Sequence, residues 1–503
     1  MIFILLFLFS YAFSEELNRA LLLKYKNSLS NYEKVKALYE FSGFHPIWIG
    51  VSSFSSFDRI KKLIEGSRYD GLNPEDYDFT VSGDPLKDEL TITDHLISLS
   101  YDLYYGKIDP ARFYRGWSIP KKEDRVLQTL MEIIKENRIE DLFDELRPKY
   151  EGYSKLRDHL KEYYKIKEMG GWQRINSKKV LRLGVRDDTV VFLRKRLCIT
   201  GDLKSCDASD VFDNSLENAV RTFQERHGLK QDGIVGRETF RELNVPIEDR
   251  ILQIELNLEK FRWLPQKTED LFILVNIPSF DLYLIKDGKV IIHSPVIVGR
   301  FYEKAYRPTP MLYSKIDHIT LNPYWYVPRM IAVEDLLPKI KEDPYYVKKE
   351  DMKVYLGHKE INPFTVNWNS VTPESFIFRL VQNSGEKNAL GRIKFSFPNP
   401  FGVYLHDTPY RGLFKFEKRA FSSGCIRVEK AFELAAYLLN TNNEELKSAI
   451  ESGETKHIKL KRAVPIYVLY FTAFVNNSRL YLWDDLYGYD RIIAKYFKRR
   501  KAK

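Results

Sequence analysis

The chain has 503 residues, 44% of them hydrophobic, with 79 Lys or Arg against 69 Asp or Glu and a net charge of +10. That length predicts about three domains, and the apolar share excludes a disordered chain. The basic excess is spread out, and no nucleic-acid motif accompanies its dense run, Lys498-Arg499-Arg500-Lys501; residues 491–503 therefore read as a solvated basic tail, with no DNA or RNA partner.

Residues Ile2 to Phe9 are an apolar run, and Ala12 and Ser14 supply the small-x-small pattern of a cleavage site. Residues 1–14 are thus expected to be a signal peptide. The run is short for a membrane span, but no Lys or Arg precedes it, so retention as an N-terminal anchor stays an alternative. From 15 to 175 the pattern is helical. Phe57 to Glu65 and Ile92 to Tyr105 show apolar periodicity, and Asp70-Gly71-Leu72-Asn73-Pro74 and Gly106-Lys107-Ile108-Asp109-Pro110 read as turns. Nothing in this region has a catalytic setting, and Trp48 and Trp117 are assigned to the core.

Residues 180–245 form a separate small module. Val190 to Leu197 reads as one helix, and Asp213 caps a second with Leu216, Val220 and Phe223 on one face and Gly228 as its stop. Asp232-Gly233-Ile234-Val235-Gly236 is a turn, and Arg237 to Leu243 a third helix. Cys198 and Cys206 lie in this module. In an exported chain they either bridge or stay separate buried thiols; a bridge leaves Cys425 unpaired.

Leu252 to Leu264 is a connecting helix. Strand patterns follow at Phe272 to Ile277, Asp281 to Lys286 and Lys289 to His293, with Lys286-Asp287-Gly288-Lys289 as a hairpin signal. Residues 329–379 read as a helical and irregular insertion with little sheet.

The chemistry concentrates between Phe401 and Val428. Phe401-Gly402-Val403-Tyr404-Leu405-His406 alternates, which predicts a strand with Tyr404 and His406 on one face. Ser422-Ser423-Gly424-Cys425-Ile426-Arg427 follows, and a helix is expected to start near Glu429, placing Cys425 on a glycine turn ahead of a helix N-terminus. A helix dipole shifts a thiol by less than about one pKa unit, so a reactive Cys425 needs His406 beside it as an ion-pair partner and general acid–base. Arg427 offers a fork for a substrate carboxylate. Gly424 and Cys425 offer backbone N–H groups for an oxyanion. Ser423 either bonds near the thiol or satisfies the loop. Tyr404 shares the histidine's face, and Trp325 is a candidate wall. Three scattered cysteines do not make a zinc site, and there is no phosphate-binding glycine loop; no metal and no cofactor are expected.

His406-Asp407-Thr408-Pro409 followed by Ser422-Ser423-Gly424-Cys425-Ile426-Arg427-Val428 resembles the signature of the L,D-transpeptidases, with a YkuD-type catalytic domain, in their large Gram-negative, YcbB-like form. Asn322-Pro323-Tyr324-Trp325, Asn388-Ala389-Leu390-Gly391 and Lys394-Phe395-Ser396-Phe397-Pro398-Asn399-Pro400 resemble it too. Phe223-Gln224, His227-Gly228-Leu229 and Asp232-Gly233-Ile234-Val235-Gly236 resemble a three-helix peptidoglycan-binding module. The resemblance implies a multidomain α+β protein: a helical scaffold domain (15–175), the peptidoglycan-binding-like module (180–245) and a mainly-β catalytic domain (250–490) with a capping subdomain (329–379). It implies a periplasmic enzyme whose partners are peptidoglycan stem peptides, a donor tetrapeptide and an acceptor amine. Cys425 would be the nucleophile, His406 its acid–base partner, and a backbone carbonyl would orient the imidazole. The product would be a 3→3 cross-link. Hydrolysis of the same acyl-enzyme, or wall binding without catalysis, are the alternatives.

Overall fold

The computed structural model describes residues 19–48, 53–114, 117–177, 179–266, 269–302 and 305–498; the signal segment and residues 499–503 lie outside the described residues, and the expected basic tail from 491 instead begins inside a helix, Tyr489–Phe497, that buries Ile493 and Phe497. The chain divides into two compact units, one of Met1–Phe113, Ile119–Lys267 and Thr472–Lys503, the other of Tyr114–Ser118 and Thr268–Phe471. Among the described residues no helix is long and apolar enough to cross a membrane.

The first unit is mainly helical. α1 (Ser53–Gly66) and α2 (Pro85–Tyr105) contain the stretches that the apolar periodicity marked. α2 starts where Asp84 accepts hydrogen bonds from the Leu86 and Lys87 N–H groups, with Pro85 in the first turn, and stops at Gly106. A Cβ on Gly106 would lie 2.5 Å from Glu259 Oε1, so this turn also needs glycine for close approach. Leu96, Leu99 and Leu103 of α2 pack with Tyr39, Trp48 and Leu130 in one core.

α3 (Asp188–Ile199), α4 (Asn214–Arg226) and α5 (Arg237–Leu243) surround a second core of Leu193, Leu197, Phe212, Leu216, Phe223 and Leu243. Asp213 caps α4 by accepting from the Leu216 N–H at 2.9 Å. The Gln224 side chain spans the glycine turn, accepting from the Gly233 N–H at 2.9 Å and donating to the Ile234 carbonyl at 2.9 Å. Cys198 and Cys206 form a disulfide, with Cα atoms 5.9 Å apart. Cys425 remains the free thiol.

α6 (Ile247–Arg262) begins five residues before the expected connecting helix. It clusters with the helices and not with the sheet, as does the chain from Thr472 onward, although both fall in the 250–490 span. Buried polar bonds give the reason. The Asn257 side chain accepts from the Thr472 N–H at 2.9 Å and donates to Thr472 Oγ1 at 2.8 Å, and Lys260 donates to Asp490 at 2.5 Å.

The second unit is built on a sheet that closes on itself. Its strands are β1 (Leu271–Asn276), β2 (Asp281–Lys286), β3 (Lys289–Gly299), β4 (Leu312–Leu321), β5 (Ile393–Ser396), β6 (Leu405–His406), β7 (Ala420–Ser422), β8 (Ile426–Val428) and β9 (Lys456–Leu469). The order is β7-β3-β8-β6-β5-β4-β9-β1-β2, and β2 pairs back onto β3. β3 achieves this by changing partners along its length: Lys289 to Pro295 face β2, Val296 and Ile297 face β8, and Val298 and Gly299 meet β7. The β2–β3 turn has Asp287 and Gly288 both at positive φ, 49° and 74°, as a tight hairpin of right-twisted strands requires.

The insertion contains more sheet than its composition suggests. Met352–Leu356 pairs with Phe378–Gln382 and Lys359–Ile361, and Trp325–Tyr326 adds to the far edge. The signal is a short alternation, with Met352 and Val354 buried and Lys353 and Tyr355 half-buried, followed by Gly357 in a left-handed turn. Ile340, Trp368, Phe376 and Leu380 form its core.

Candidate active site

Three adjacent strands hold the site. β5 pairs antiparallel with β6, which sets Lys394 opposite His406. β6 pairs parallel with β8, which sets Leu405 opposite Ile426 and His406 opposite Arg427. Leu405 and Ile426 are fully buried on one face. The other face therefore carries the row Lys394, His406, Arg427, and one step back along it Tyr404 beside Cys425. The predicted strand is shorter than its alternating pattern, only Leu405–His406, yet the predicted face holds.

The loop ahead of β8 is fixed from both sides. Gly424 has φ +112°, a conformation that excludes a side chain without strain. Its carbonyl accepts from Thr309 Oγ1 at 2.9 Å, and its N–H donates to Ser422 Oγ at 3.1 Å. The Gly424 N–H is thus already used, contrary to the expectation that it serves an oxyanion. Among the described residues the Cys425 N–H has no backbone acceptor. Ser423 does not face the sulfur: its hydroxyl accepts from Arg300 at 3.2 Å and Arg307 at 2.9 Å. A second expectation also changes. Cys425 runs directly into strand β8, and the next helix begins only at Ala431. A dipole acts within about one turn of a helix end, so it does not activate this thiol.

Tyr404 neighbours the sulfur, and its backbone N–H and hydroxyl both act to lower the thiol. Trp325 lines the same cavity as Tyr404 and Cys425. Lys394 Nζ lies 4.2 Å from the centre of the Tyr404 ring. His406 Nδ1 lies 2.5 Å from the carbonyl oxygen of Asp407, and the ring also meets the Leu390 carbonyl. A carbonyl only accepts, so Nδ1 carries its hydrogen, and backbone oxygens orient the ring in place of a carboxylate. The Asp407 carboxylate points elsewhere, to the Arg392 N–H at 3.0 Å and to Arg411 at 3.3 Å.

Burial sets the charge states. It pushes the Cys425 thiol up, against hydrogen bonds from Tyr404 and the fields of Lys394 and Arg427. Burial, with Arg427 and Lys394 nearby, lowers His406 to about 3. The resting pair is therefore a neutral thiol and a neutral imidazole, not the thiolate–imidazolium pair expected from the motif, and the proton must move as a substrate arrives. Arg427 is itself lowered by burial, and its Nε is buried without a hydrogen-bond partner. Lys394 was not singled out from the sequence, where it is one charged residue in a short strand; its alternation with buried Ile393 and Phe395 was the available signal.

These groups share one cavity of about 540 Å³, lined by Tyr404, His406, Cys425 and Arg427 from the main sheet and by Trp325, Met330, Asp335, Lys339 and Tyr346 from the insertion and its small sheet. Among the described residues no group of three or more His, Cys, Asp and Glu is placed to hold a metal ion.

A cysteine and a histidine on one strand face, in a cleft with cationic walls, define a candidate site for cysteine acyl transfer. Residues 270–458 match the family described as "L,D-transpeptidase catalytic domain" (YkuD), 33–160 match "Scaffold domain" and 186–243 match "Putative peptidoglycan binding domain". A curated relative from Haemophilus influenzae, "Putative L,D-transpeptidase", is 36% identical over 290 residues, 57% of each chain. Two solved structures are also similar. An L,D-transpeptidase from Stackebrandtia nassauensis matches at 14% identity over 59% of this chain and 97% of that one, TM-score 0.23. One from Mycobacterium smegmatis matches at 14% identity over 40% and 58%, TM-score 0.19. Residues 270–458 thus match the YkuD-type L,D-transpeptidase catalytic domain, and the chain spans 57% of the length of its curated relative; a helical scaffold-type region and a peptidoglycan-binding-type module precede that domain.

Proposed function

We propose that this protein is a peptidoglycan L,D-transpeptidase that forms 3→3 cross-links through a Cys425 acyl-enzyme. The observation that carries the reading is the shared face of Cys425, Tyr404 and His406 inside one cavity of the L,D-transpeptidase domain. Cys425 Sγ attacks the carbonyl of the third residue of a donor tetrapeptide stem while its proton passes to His406. The Cys425 N–H faces the developing oxyanion, and the Tyr404 hydroxyl holds the sulfur. The C–N bond to the terminal D-alanine breaks, and the histidine returns the proton to the leaving amine. The side-chain amine of an acceptor stem then attacks the thioester, its lost proton taken by the same imidazole, and the thiol is restored.

The partners of this reading are donor and acceptor stem peptides, with residues 180–245 holding the protein on the wall. The location it proposes is the periplasm, after export by residues 1–14. The Cys198–Cys206 disulfide supports an oxidising compartment. Incubation with purified tetrapeptide muropeptide tests the reaction. A thioester adduct on Cys425 by intact mass, followed by cross-linked dimer, is expected. Tripeptide without dimer would show hydrolysis, and no adduct would leave a wall-binding protein.

A further inference from the structure

Two arginines stand at the feet of the short hairpin Phe301–Tyr302 and Ala305–Tyr306, Arg300 before it and Arg307 after it. Gly299 lets the feet close: a Cβ there would lie 2.1 Å from the Arg307 carbonyl oxygen. The Arg307 N–H donates to the Arg300 carbonyl at 2.9 Å. Both guanidiniums reach Ser423, two residues before the nucleophile, at 3.2 and 2.9 Å. On their other side both are occupied by the insertion. The Asp335 carboxylate accepts from Arg300 Nη2 at 2.9 and 3.0 Å and from Arg307 Nη1 at 2.6 Å, and Glu334 accepts from Arg307 Nη2 at 2.5 Å.

Neighbouring residues of a regular helix point about 100° apart, yet Glu334 and Asp335 converge on one pair of forks. They do so because Ala332–Leu336 is a single π-helical turn. Pro338 supplies a cause: it has no N–H to give the residue-334 carbonyl, and its ring crowds that oxygen. The carboxylates also sit at the water's edge. Asp335 is 28% exposed and Glu334 58%, whereas Arg307 is 8% exposed. Arg307 is built into the wall, while Arg300, 21% exposed, sits beside Asp335 at the cavity. Arg300 keeps a buried Nε with no hydrogen-bond partner, a spare donor on the same fork.

Planar forks and a hydroxyl converging beside a cleft are the chemistry that recognises a carboxylate. We propose that Arg300 and Arg307 are a subsite for the C-terminal carboxylate of a peptide substrate, and that Asp335 and Glu334 occupy it until that substrate enters. The proposal rests on the acyl-transfer reading of Cys425 given above. An arriving carboxylate takes the place of Asp335 on the forks, so the charge beside Ser423 is unchanged. The insertion helix loses the ion pairs that hold it to the cavity wall and moves away. A peptide without a terminal charge does not compete and leaves the helix in place.

The test uses the full-length protein and two synthetic tetrapeptide stems, one ending in a free carboxylate and one in a carboxamide. Thioester formation is followed by intact mass, and hydrogen exchange is followed over residues 329–342. The wild type is expected to acylate about tenfold faster with the acid than with the amide, the size of one charge-assisted bond. Asp335→Asn should raise exchange in 329–342 without peptide and speed reaction of the amide stem. Arg307→Lys, which keeps the charge but loses the fork, should raise KM for the acid stem several-fold with little change in kcat. Equal rates for acid and amide in the wild type, or unchanged exchange in Asp335→Asn, overturn the proposal. Failure of the acyl-transfer reading looks different: neither stem marks Cys425 in any variant. Calorimetric binding of the two stems to Cys425→Ala then decides the subsite alone, an acid preference supporting it and equal affinity overturning it.

Discussion

The two units treat buried charge in opposite ways. In the helical unit the fully buried carboxylates are matched, although Arg196 is buried against carbonyl and hydroxyl oxygens alone. The Asp70 side chain, fully buried, accepts two bonds from Arg147 at 2.8 Å each and one from the Tyr153 hydroxyl at 2.9 Å. Glu259 and Arg262, also fully buried, meet at 2.7 Å. Around Cys425 the balance is missing. Lys394 and Arg427, both half-buried, flank the buried His406, and among the described residues neither is ion-paired with a carboxylate. Burying a charge without its partner costs several kcal/mol. A fold keeps such an arrangement where an anion or a developing negative charge comes and goes. Matched charges mark architecture here, and unmatched ones mark chemistry.

The sharpest way to break this comparison is to remove the sulfur. Cys425→Ala should lower acyl transfer by at least about a thousandfold, because no other nucleophile lies in the row. Its thermal midpoint should change little, since the thiol is half-buried and lines an open cavity instead of packing in a core. Retained cross-linking would move the chemistry elsewhere.

Paired substitutions sharpen the contrast. Asp70→Asn takes the buried carboxylate from both Arg147, which keeps only the exposed Asp144, and Arg157, and should cost about 3 kcal/mol of stability. Folded molecules of that variant should acylate as the wild type does. Arg427→Met should do the reverse, leaving stability nearly unchanged while slowing acylation about ten- to a hundredfold through loss of positive field at the oxyanion. A denaturation curve and an initial rate on each variant suffice. Equal losses of stability for both would erase the distinction between the units. Tyr404→Phe should cost about tenfold in rate, since only one hydrogen bond to the sulfur is removed.

The pH profile follows from the same burial. The thiol is raised above its usual range, so kcat/KM should keep rising with pH beyond about 8.5, where an ordinary cysteine levels off. His406 is lowered to about 3, so no inflection from it is expected between pH 5 and 7. Its effect on stability has a definite sign. The unfolded chain takes up a proton on this residue near pH 6.5 while the folded one does not, so the stability it contributes is complete above that pH and is lost as pH falls toward 3. A histidine-like inflection in the rate near 6.5 would mean the ring is far better solvated than the β5–β6–β8 face allows.

Much of the site was legible because it is short-range. Alternation at Tyr404 and His406 put both on one face, and a glycine before a cysteine marked a turn. The tertiary partners were not legible. Arg300 and Arg307 meet Ser423 from 123 and 116 residues away, and Asp335 meets those arginines in turn; nothing local in an arginine distinguishes a fork that binds Ser423 from one in water. The burial that neutralises His406 is likewise a property of three strands from different parts of the chain. In the fold, helices with caps were easy to place, whereas the strands of the insertion are too short for a period of two to show. The domain edge at Thr472 depends on buried polar bonds from Asn257, 215 residues away, and from Gln253 and Lys260 of the same helix.

The smallest expected effect lies in the module, and it tests whether matched charge there is architecture alone. Asp213 caps α4 through the Leu216 N–H and also meets Arg194 at 2.5 Å, whose side chain is 1% exposed. Asp213→Ala removes a cap worth about 1 kcal/mol. Arg194 keeps Asp207 and the Val211 carbonyl, so its charge is not stranded. Asp213→Asn retains the capping oxygen and should recover most of the loss. Acylation by Cys425 should be the same in all three proteins. If Asp213→Ala instead cost as much as Asp70→Asn, the Arg194 charge would be held by this one carboxylate, and the module would share the strict pairing of the helical core.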